Sequence, residues 1–221
     1  MDTVLFDLDG TLADTAPDLA LALDSLRADR GLAPLDLAAV RAQTPYGTEA
    51  LLALALGLRP DDRHYEAVRR DFLARYAGCI GTATVAFPGV ADTLAALEAS
   101  GRLWGVVTNK PEELAARVLE GLRLAGRPGC LIGGDTARRR KPHPDPLWLA
   151  CERLGRRPAE AVYVGDDHTD ILAARAAGMP GLVALFGYAP ADAAHWGADG
   201  VLPTPAALLT WLRDRPGQSP V

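Results

Sequence analysis

Two aspartates follow the first apolar run of the chain. Asp7 and Asp9 come directly after Thr3–Phe6, a run typical of a buried strand, and Gly10 follows them. Alternate residues of an extended chain point to the same side, so the two carboxylates are predicted to share a face. Carboxylates crowded in this way repel each other unless a cation lies between them, and Mg²⁺ prefers oxygen ligands. The simpler alternative is a strand that ends in an Asp-Gly turn.

A second acidic pair follows a later apolar run, Ala161–Val164. Asp170 comes four residues after Asp166, which places both carboxylates on one face if the segment is a helix. His168 lies between them, but His or Cys residues at ligand spacing are missing, so an all-oxygen Mg²⁺ site is favoured over a transition-metal site. The sequence leaves open whether Asp167 or Asp170 completes that site.

Lysine is rare in this chain. Of 23 basic residues only Lys110 and Lys141 are lysines, so each is a candidate for a position that needs a compact ammonium group. Lys110 follows Thr108 and Asn109 at the end of a predicted strand. These two side chains either bind phosphate at the start of the next helix or simply cap that helix.

Apolar runs that predict strands alternate with Ala- and Leu-rich segments that predict helices. The predicted strands are Thr3–Phe6, Leu103–Thr108, Cys130–Ile132, Ala161–Val164, Leu182–Leu185 and Gly200–Leu202, and the predicted helices between them are Val90–Ser100, Glu112–Leu122, Asp145–Leu154 and Thr169–Ala177. This alternation predicts an α/β fold, a doubly wound parallel sheet with helices on both faces. Because the carboxyl ends of parallel strands meet at one edge, the polar motifs are expected to converge there.

The stretch from Pro17 to about Tyr76 breaks the alternation. Its predicted helices are Pro17–Arg30, Leu37–Gln43, Thr48–Leu56 and Arg63–Tyr76, and Thr15 is expected to cap the first of them. The predicted organisation is therefore an α/β core formed by residues 1–15 and 83–221, with a helical insert at 16–82.

Composition narrows the class of protein. The 221 residues carry a formal charge of −5 and are 49% hydrophobic, which argues against disorder and against nucleic acid as a partner. No apolar run reaches the roughly 18 to 20 residues that span a bilayer, so a membrane partner is not expected. The three cysteines are scattered and odd in number, and the first ten residues lack a basic segment. These features predict a cytoplasmic protein, and a monomer or homodimer is expected.

Four motifs occur in a fixed order along the chain. They are Asp-x-Asp-Gly-Thr at 7–11, a strand ending at Thr108, Lys141 followed by proline, and Gly-Asp-x-x-x-Asp at 165–170. In this order they resemble the haloacid dehalogenase superfamily, and the resemblance covers nearly the whole chain. It implies a Rossmann-like core and identifies the helical insert as a mobile cap.

The resemblance also implies a reaction, the hydrolysis of a small phosphorylated metabolite with Mg²⁺ as cofactor. Asp7 would attack phosphorus to form an aspartyl-phosphate, and Asp9 would act as the acid and base. The Mg²⁺ ligands would be Asp7, the Asp9 carbonyl and Asp166, with Asp170 behind them. Lys141 would neutralise the phosphoryl group and keep Asp7 ionised. The phosphate-binding residues would be Gly10, Thr11, Thr108 and Asn109.

Other chemistries of the superfamily fit less well. Its dehalogenases lack the second carboxylate, so Asp9 argues against them, and its phosphonate-cleaving members use a cap lysine, whereas no lysine precedes Lys110. A sugar phosphomutase and a non-catalytic sugar-phosphate sensor remain alternatives.

Within the superfamily, the stretch 9–18 is similar to the phosphoglycolate phosphatase group. The stretches 103–111, 149–151, 186–188 and 196–199 resemble a bacterial branch that acts on N-acetylmuramic acid 6-phosphate. The insert departs from the glycine-rich turn of these relatives at Thr44–Gly47. Arg41, beside this turn, is predicted to bind a substrate carboxylate through its planar fork. Its alternative role is that of a solvated charge at a helix end.

Overall fold

A parallel sheet forms the centre of the computed structural model, which describes residues 1–214. The strands are β1 (Thr3–Phe6), β2 (Ala13–Asp14), β3 (Val85–Ala86), β4 (Leu103–Val107), β5 (Leu131–Ile132), β6 (Ala161–Gly165), β7 (Gly181–Ala184) and β8 (Gly200–Leu202). Six of them make the sheet of the described region in the order β5-β4-β1-β6-β7-β8, with every pairing parallel. Since β1 lies near the middle of this order, its carboxyl end is flanked by those of β4 and β6.

Helices cover both faces of the sheet. The helices are α1 (Ala16–Ala28), α2 (Leu37–Gln43), α3 (Gly47–Leu56), α4 (Tyr65–Cys79), α5 (Val90–Ala99), α6 (Glu112–Gly121), α7 (Asp145–Leu154), α8 (His168–Ala177) and α9 (Ala207–Asp214). Side chains alternate along β1, so Val4 and Phe6 pack in the cluster that holds Leu94 of α5. Leu5 points the other way, into the cluster that holds Leu147 of α7. The predicted doubly wound α/β class is confirmed.

The first four helices lie between β2 and β3, which pair as a short antiparallel ribbon. These helices have an apolar cluster that includes Leu23, Leu52 and Phe72, all buried. The sequence did not predict the ribbon, because strands of two residues are too short to show an alternating pattern. Helix α9 was also not predicted. The predicted core extends to Val221, but residues 215–221 lie outside the described part.

None of the helices within residues 1–214 has both the length and the apolar composition needed to cross a membrane.

A buried carboxylate ties α1 to the chain that leaves the helical segment. Asp18 of α1 is fully buried. It accepts hydrogen bonds of 2.7 Å from the backbone N–H of Gly81, the backbone N–H of Ala83 and the hydroxyl of Thr84. The point where the chain enters the helices is thereby fixed to the point where it returns to the sheet.

Asp18→Ala is expected to lower the free energy of unfolding by about 3 kcal/mol, because it leaves two N–H groups and a hydroxyl without their acceptor. Urea denaturation followed by far-UV circular dichroism measures the loss. The matched control is Asp61→Ala, which removes an exposed carboxylate from the same helical segment and should cost less than 1 kcal/mol. Equal losses in the two variants would contradict the role given to Asp18.

Candidate active site

The turn after β1 presents Asp7 at the carboxyl edge of the sheet. The Asp7 N–H donates to the carbonyl of Val164 at 2.9 Å, which extends the β1–β6 ladder by one residue. One carboxylate oxygen of Asp7 accepts the N–H of Leu8 at 2.7 Å, and the Leu8 side chain is buried. Gly10 has a φ of +79°, and a Cβ there would lie 2.0 Å from a carboxylate oxygen of Asp166. Only glycine fits this turn without displacing Asp166.

Three carboxylates meet at this edge. Oxygens of Asp7, Asp166 and Asp170 lie within 4.8 Å of one another. The Thr11 hydroxyl donates to Asp166 Oδ1 at 2.7 Å, and the N–H of Tyr188 approaches Asp166 Oδ2 at 3.3 Å. The cluster supplies only oxygen ligands, as a hard divalent cation requires.

Asp170, not Asp167, faces this cluster. Asp167 caps α8 by accepting the Thr169 N–H at 2.8 Å, while Asp170 Oδ2 accepts the Asp167 N–H at 3.0 Å. The prediction that Asp166 and Asp170 share a helix face is wrong, because α8 begins at His168 and Asp166 precedes it. The strand-to-helix turn brings the two carboxylates together instead.

Lys141 is the cation of the cluster. Its side chain is almost completely buried, and its Nζ lies 2.7 Å from Asp170 Oδ1 and 3.1 Å from Asp7 Oδ1. Burial lowers the pKa of Lys141, but Asp170 and Asp7 more than offset that effect, so the net pKa is raised. The lysine is therefore a fixed positive charge beside Asp7.

The carboxylates themselves are crowded. Burial raises the pKa of Asp7 to about 6; Lys141 opposes this shift, and Asp170 and Asp9 add to it. Burial, with the charges of Asp7 and Asp170, raises the pKa of Asp166 well above its usual range. The two pKa values are raised because burial disfavours the ionised carboxylates and Lys141 alone does not balance their charge. A bound divalent cation would balance the charge of these carboxylates, so the residues present fit Mg²⁺.

Asp9 lies apart from the cluster and has its own lysine. Lys110 Nζ contacts both carboxylate oxygens of Asp9, at 2.8 and 3.0 Å, and lies 4.7 Å from the ring centre of Tyr76. The Thr15 hydroxyl also donates to Asp9. Thr15 consequently precedes α1 without capping it through its side chain, contrary to the prediction. The rarity of lysine marked Lys110 as a candidate for a site that needs a compact ammonium group, but the sequence did not identify Asp9 as its partner.

The predicted phosphate-binding residues lie around Asp7, and most of their donors are used internally. The N–H of Gly10 donates to Ala13, and the N–H of Thr11 donates to Leu8. The Thr108 hydroxyl is buried and accepts the Lys110 N–H at 3.2 Å, while the Asn109 side-chain amide donates to the Lys141 carbonyl at 3.1 Å. Neither Thr108 nor Asn109 caps α6, since the residue before that helix is Pro111.

Arg41 is paired with Asp14, although its side chain is 42% exposed and lies in the last turn of α2. Its Nη2 lies 2.7 Å from Asp14 Oδ2, and its Nε lies 3.4 Å from Asp14 Oδ1. The Tyr188 hydroxyl donates to the same Asp14 carboxylate at 2.6 Å and accepts the Ala16 N–H at 3.0 Å. Arg41 of α2 is thus joined to the ribbon that connects the helical segment to the sheet, a contact that the sequence did not predict.

Comparisons with known proteins point to one family. Residues 1–178 match the model of the haloacid dehalogenase-like hydrolases. The chain is 48% identical to a phosphoglycolate phosphatase of Xylella fastidiosa, over 93% of this chain and 90% of the relative. It is 41% identical to an N-acetylmuramic acid 6-phosphate phosphatase of Pseudomonas aeruginosa, over 96% and 95% of the two chains.

Among solved structures, a predicted phosphoglycolate phosphatase from Haemophilus somnus superimposes with a TM-score of 0.85 at 28% identity, covering 96% of this chain and 97% of the other. The relatives are phosphatases, and the motifs that carry the resemblance supply the clustered carboxylates and Lys141. The chain therefore belongs to the haloacid dehalogenase-like hydrolase family and is a phosphoric monoester hydrolase.

Proposed function

We propose that the enzyme hydrolyses its substrate through an aspartyl-phosphate formed on Asp7. The observation that carries this proposal is the Asp7 carboxylate, held at the sheet edge by the Leu8 N–H and by Lys141. An Asp7 oxygen attacks phosphorus, the ester P–O bond breaks, and Asp9 gives its proton to the departing oxygen. Water then attacks the aspartyl-phosphate and loses its proton to Asp9, which regenerates the carboxylate of Asp7 and releases phosphate.

We propose Mg²⁺ as the cofactor, held by Asp7, Asp166 and the backbone carbonyl of Asp9. When bound, the cation would neutralise charge on the phosphoryl oxygens as they approach Asp7. Asp170 is tied to Lys141 and to the Asp167 N–H. Its proposed role is accordingly to hold Lys141 and the edge of the cluster, behind the residues that would bind Mg²⁺ directly.

The phosphoryl group is assigned to the space bordered by Asp7, Lys141 and the Thr108–Asn109 strand end. Lys141 contributes its charge. Gly10 lets the backbone approach the phosphoryl group closely. The hydroxyl of Thr11 holds Asp166 in place. Asn109 supports the loop that carries Lys141.

The proposed substrate is a small phosphomonoester that also carries a carboxylate, either phosphoglycolate or N-acetylmuramic acid 6-phosphate. Each compound is the substrate in the name of a relative that aligns with more than nine-tenths of the chain. Residues 16–82 are proposed to form the cap that selects between them. The proposed location is the cytoplasm, which is consistent with the three cysteines being free thiols.

Asp7→Asn is expected to abolish release of inorganic phosphate from p-nitrophenyl phosphate, because an amide cannot act as the attacking group. Thermal melting should change little, since the amide oxygen still accepts the Leu8 N–H. Asp92→Asn, an exposed change on α5, is the matched control and should keep parental activity. Full activity of purified Asp7→Asn would exclude the covalent route. Transfer of phosphate to a sugar, without its release to water, would indicate a phosphomutase instead.

Removal of divalent cations with EDTA is expected to abolish activity, and Mg²⁺ should restore it. The physical reason is the repulsion among the buried carboxylates, which a cation relieves. The raised pKa of Asp7 gives a second measurement: titration of the cation-free protein by carboxyl-carbon NMR should show Asp7 gaining its proton near pH 6, and Mg²⁺ should move that transition to lower pH. An activity unaffected by exhaustive chelation would exclude Mg²⁺.

Arg41→Ala is expected to lower kcat/KM for the carboxylated substrate by roughly 2–4 kcal/mol in transition-state free energy. It should leave p-nitrophenyl phosphate nearly unaffected, because that compound has no carboxylate. Arg70→Ala, an exposed arginine on α4, is the matched control. Asp14→Asn tests the ion pair. If both Arg41→Ala and Asp14→Asn lower kcat/KM equally for every substrate, Arg41 holds the helical segment in place and does not recognise the leaving group.

A further inference from the structure

Tyr163 is a buried tyrosine to which the proposed mechanism gives no role. It lies on β6, three residues before Asp166, and its side chain is fully buried. The ring packs in the apolar cluster that also holds Leu5 and Val107. A phenylalanine would fill that space equally well, and a hydroxyl placed there is costly unless it is hydrogen-bonded. Its partners therefore indicate what the hydroxyl does.

The hydroxyl lies directly against the ammonium of Lys141. Four oxygens surround Lys141 Nζ: Asp170 Oδ1 at 2.7 Å, the Tyr163 hydroxyl at 2.7 Å, Asp7 Oδ1 at 3.1 Å and the Val107 carbonyl at 3.2 Å. An ammonium has only three N–H groups. One of the four oxygens must therefore accept its hydrogen bond from another donor.

Tyr163 supplies that donor. Its hydroxyl lies 2.6 Å from the Val107 carbonyl but 3.4 Å from Asp170 Oδ1, so its proton goes to Val107. A lone pair of the same oxygen then accepts an N–H of Lys141. Asp170 accepts a second N–H of Lys141, and the Asp7 carboxylate lies within ion-pair distance of the same ammonium.

We propose that Tyr163 is a positioning residue that aims the Lys141 ammonium at Asp7. This inference rests on the proposed roles of Asp7 and Lys141. The hydroxyl satisfies the Val107 carbonyl, which otherwise competes for a lysine N–H, and it fixes the third N–H of the ammonium. Without it, Val107 loses its donor and attracts Lys141, at the expense of the longer contact with Asp7. The nucleophile and the transferred phosphoryl group would then lose part of the charge that stabilises them.

A purely structural role makes a different prediction. If the hydroxyl serves only to satisfy Val107 at the sheet edge, its removal lowers stability and leaves turnover by the folded protein unchanged. Stability and turnover therefore have to be measured on the same variant.

The test is Tyr163→Phe, which keeps the ring and removes only the hydroxyl. With p-nitrophenyl phosphate and saturating Mg²⁺, kcat should fall about 10-fold while KM changes less than twofold. The inhibition constant of orthovanadate, a mimic of the phosphoryl transition state, should rise by a similar factor. The matched control, Tyr65→Phe, changes a buried tyrosine of α4 and should keep parental kcat.

Asp7→Asn is measured in the same series, so that failure of the proposed function is recognised separately from failure of this inference. A kcat of folded Tyr163→Phe within twofold of the parent would overturn the inference. Failure of the variant to show cooperative thermal melting would also overturn it, because the hydroxyl would then be required by the fold. A fall of equal size in Tyr65→Phe would overturn it as well.

Discussion

Repulsion among buried carboxylates is the constraint on which the rest of the site depends. Asp7, Asp166 and Asp170 bring their oxygens within 4.8 Å of one another at an edge that is largely closed to water. Two like charges 4 Å apart cost about 4 kcal/mol at an effective dielectric constant of 20. Backbone N–H groups, the Thr11 hydroxyl and Lys141 offset part of this repulsion, because each contacts a particular carboxylate oxygen. The remaining imbalance is what makes the cluster suited to a divalent cation.

The same constraint explains why two lysines occur where arginine is used elsewhere. Lys141 lies between Asp7 and Asp170, and Lys110 holds Asp9. A compact ammonium fits between closely spaced oxygens, whereas a planar guanidinium needs a wider space. Because the two carboxylates of the first motif have separate cations, Asp7 and Asp9 have different surroundings although only Leu8 separates them. The proposed mechanism, in which one attacks phosphorus and the other exchanges a proton, requires such different surroundings.

The sequence sufficed for the sheet, for the flanking helices α5 to α8 and for the convergence of the motifs, because these depend on local periodicity and on the common direction of parallel strands. It failed where the outcome depends on contacts between distant residues. Thr15 was expected to cap α1, but its hydroxyl donates to Asp9 and its side chain accepts no N–H of that helix. The Arg41–Asp14 pair and the β2–β3 ribbon form only once the helical segment has folded back. No local pattern distinguishes Tyr163 from any other apolar residue of a buried strand.

Tyr188 joins the chemistry to the helical segment. Its N–H contacts Asp166, and its hydroxyl binds Asp14 and the first residue of α1. Its ring packs edge-on against Phe87, which follows β3. One residue of the sheet domain thus touches a carboxylate of the cluster and both connections to α1–α4. Arg41 of α2 pairs with the same Asp14, so this carboxylate joins α2 to Tyr188, whose N–H contacts Asp166. The selection of a leaving group proposed for these helices therefore shares one contact, Asp14–Tyr188, with the carboxylate cluster.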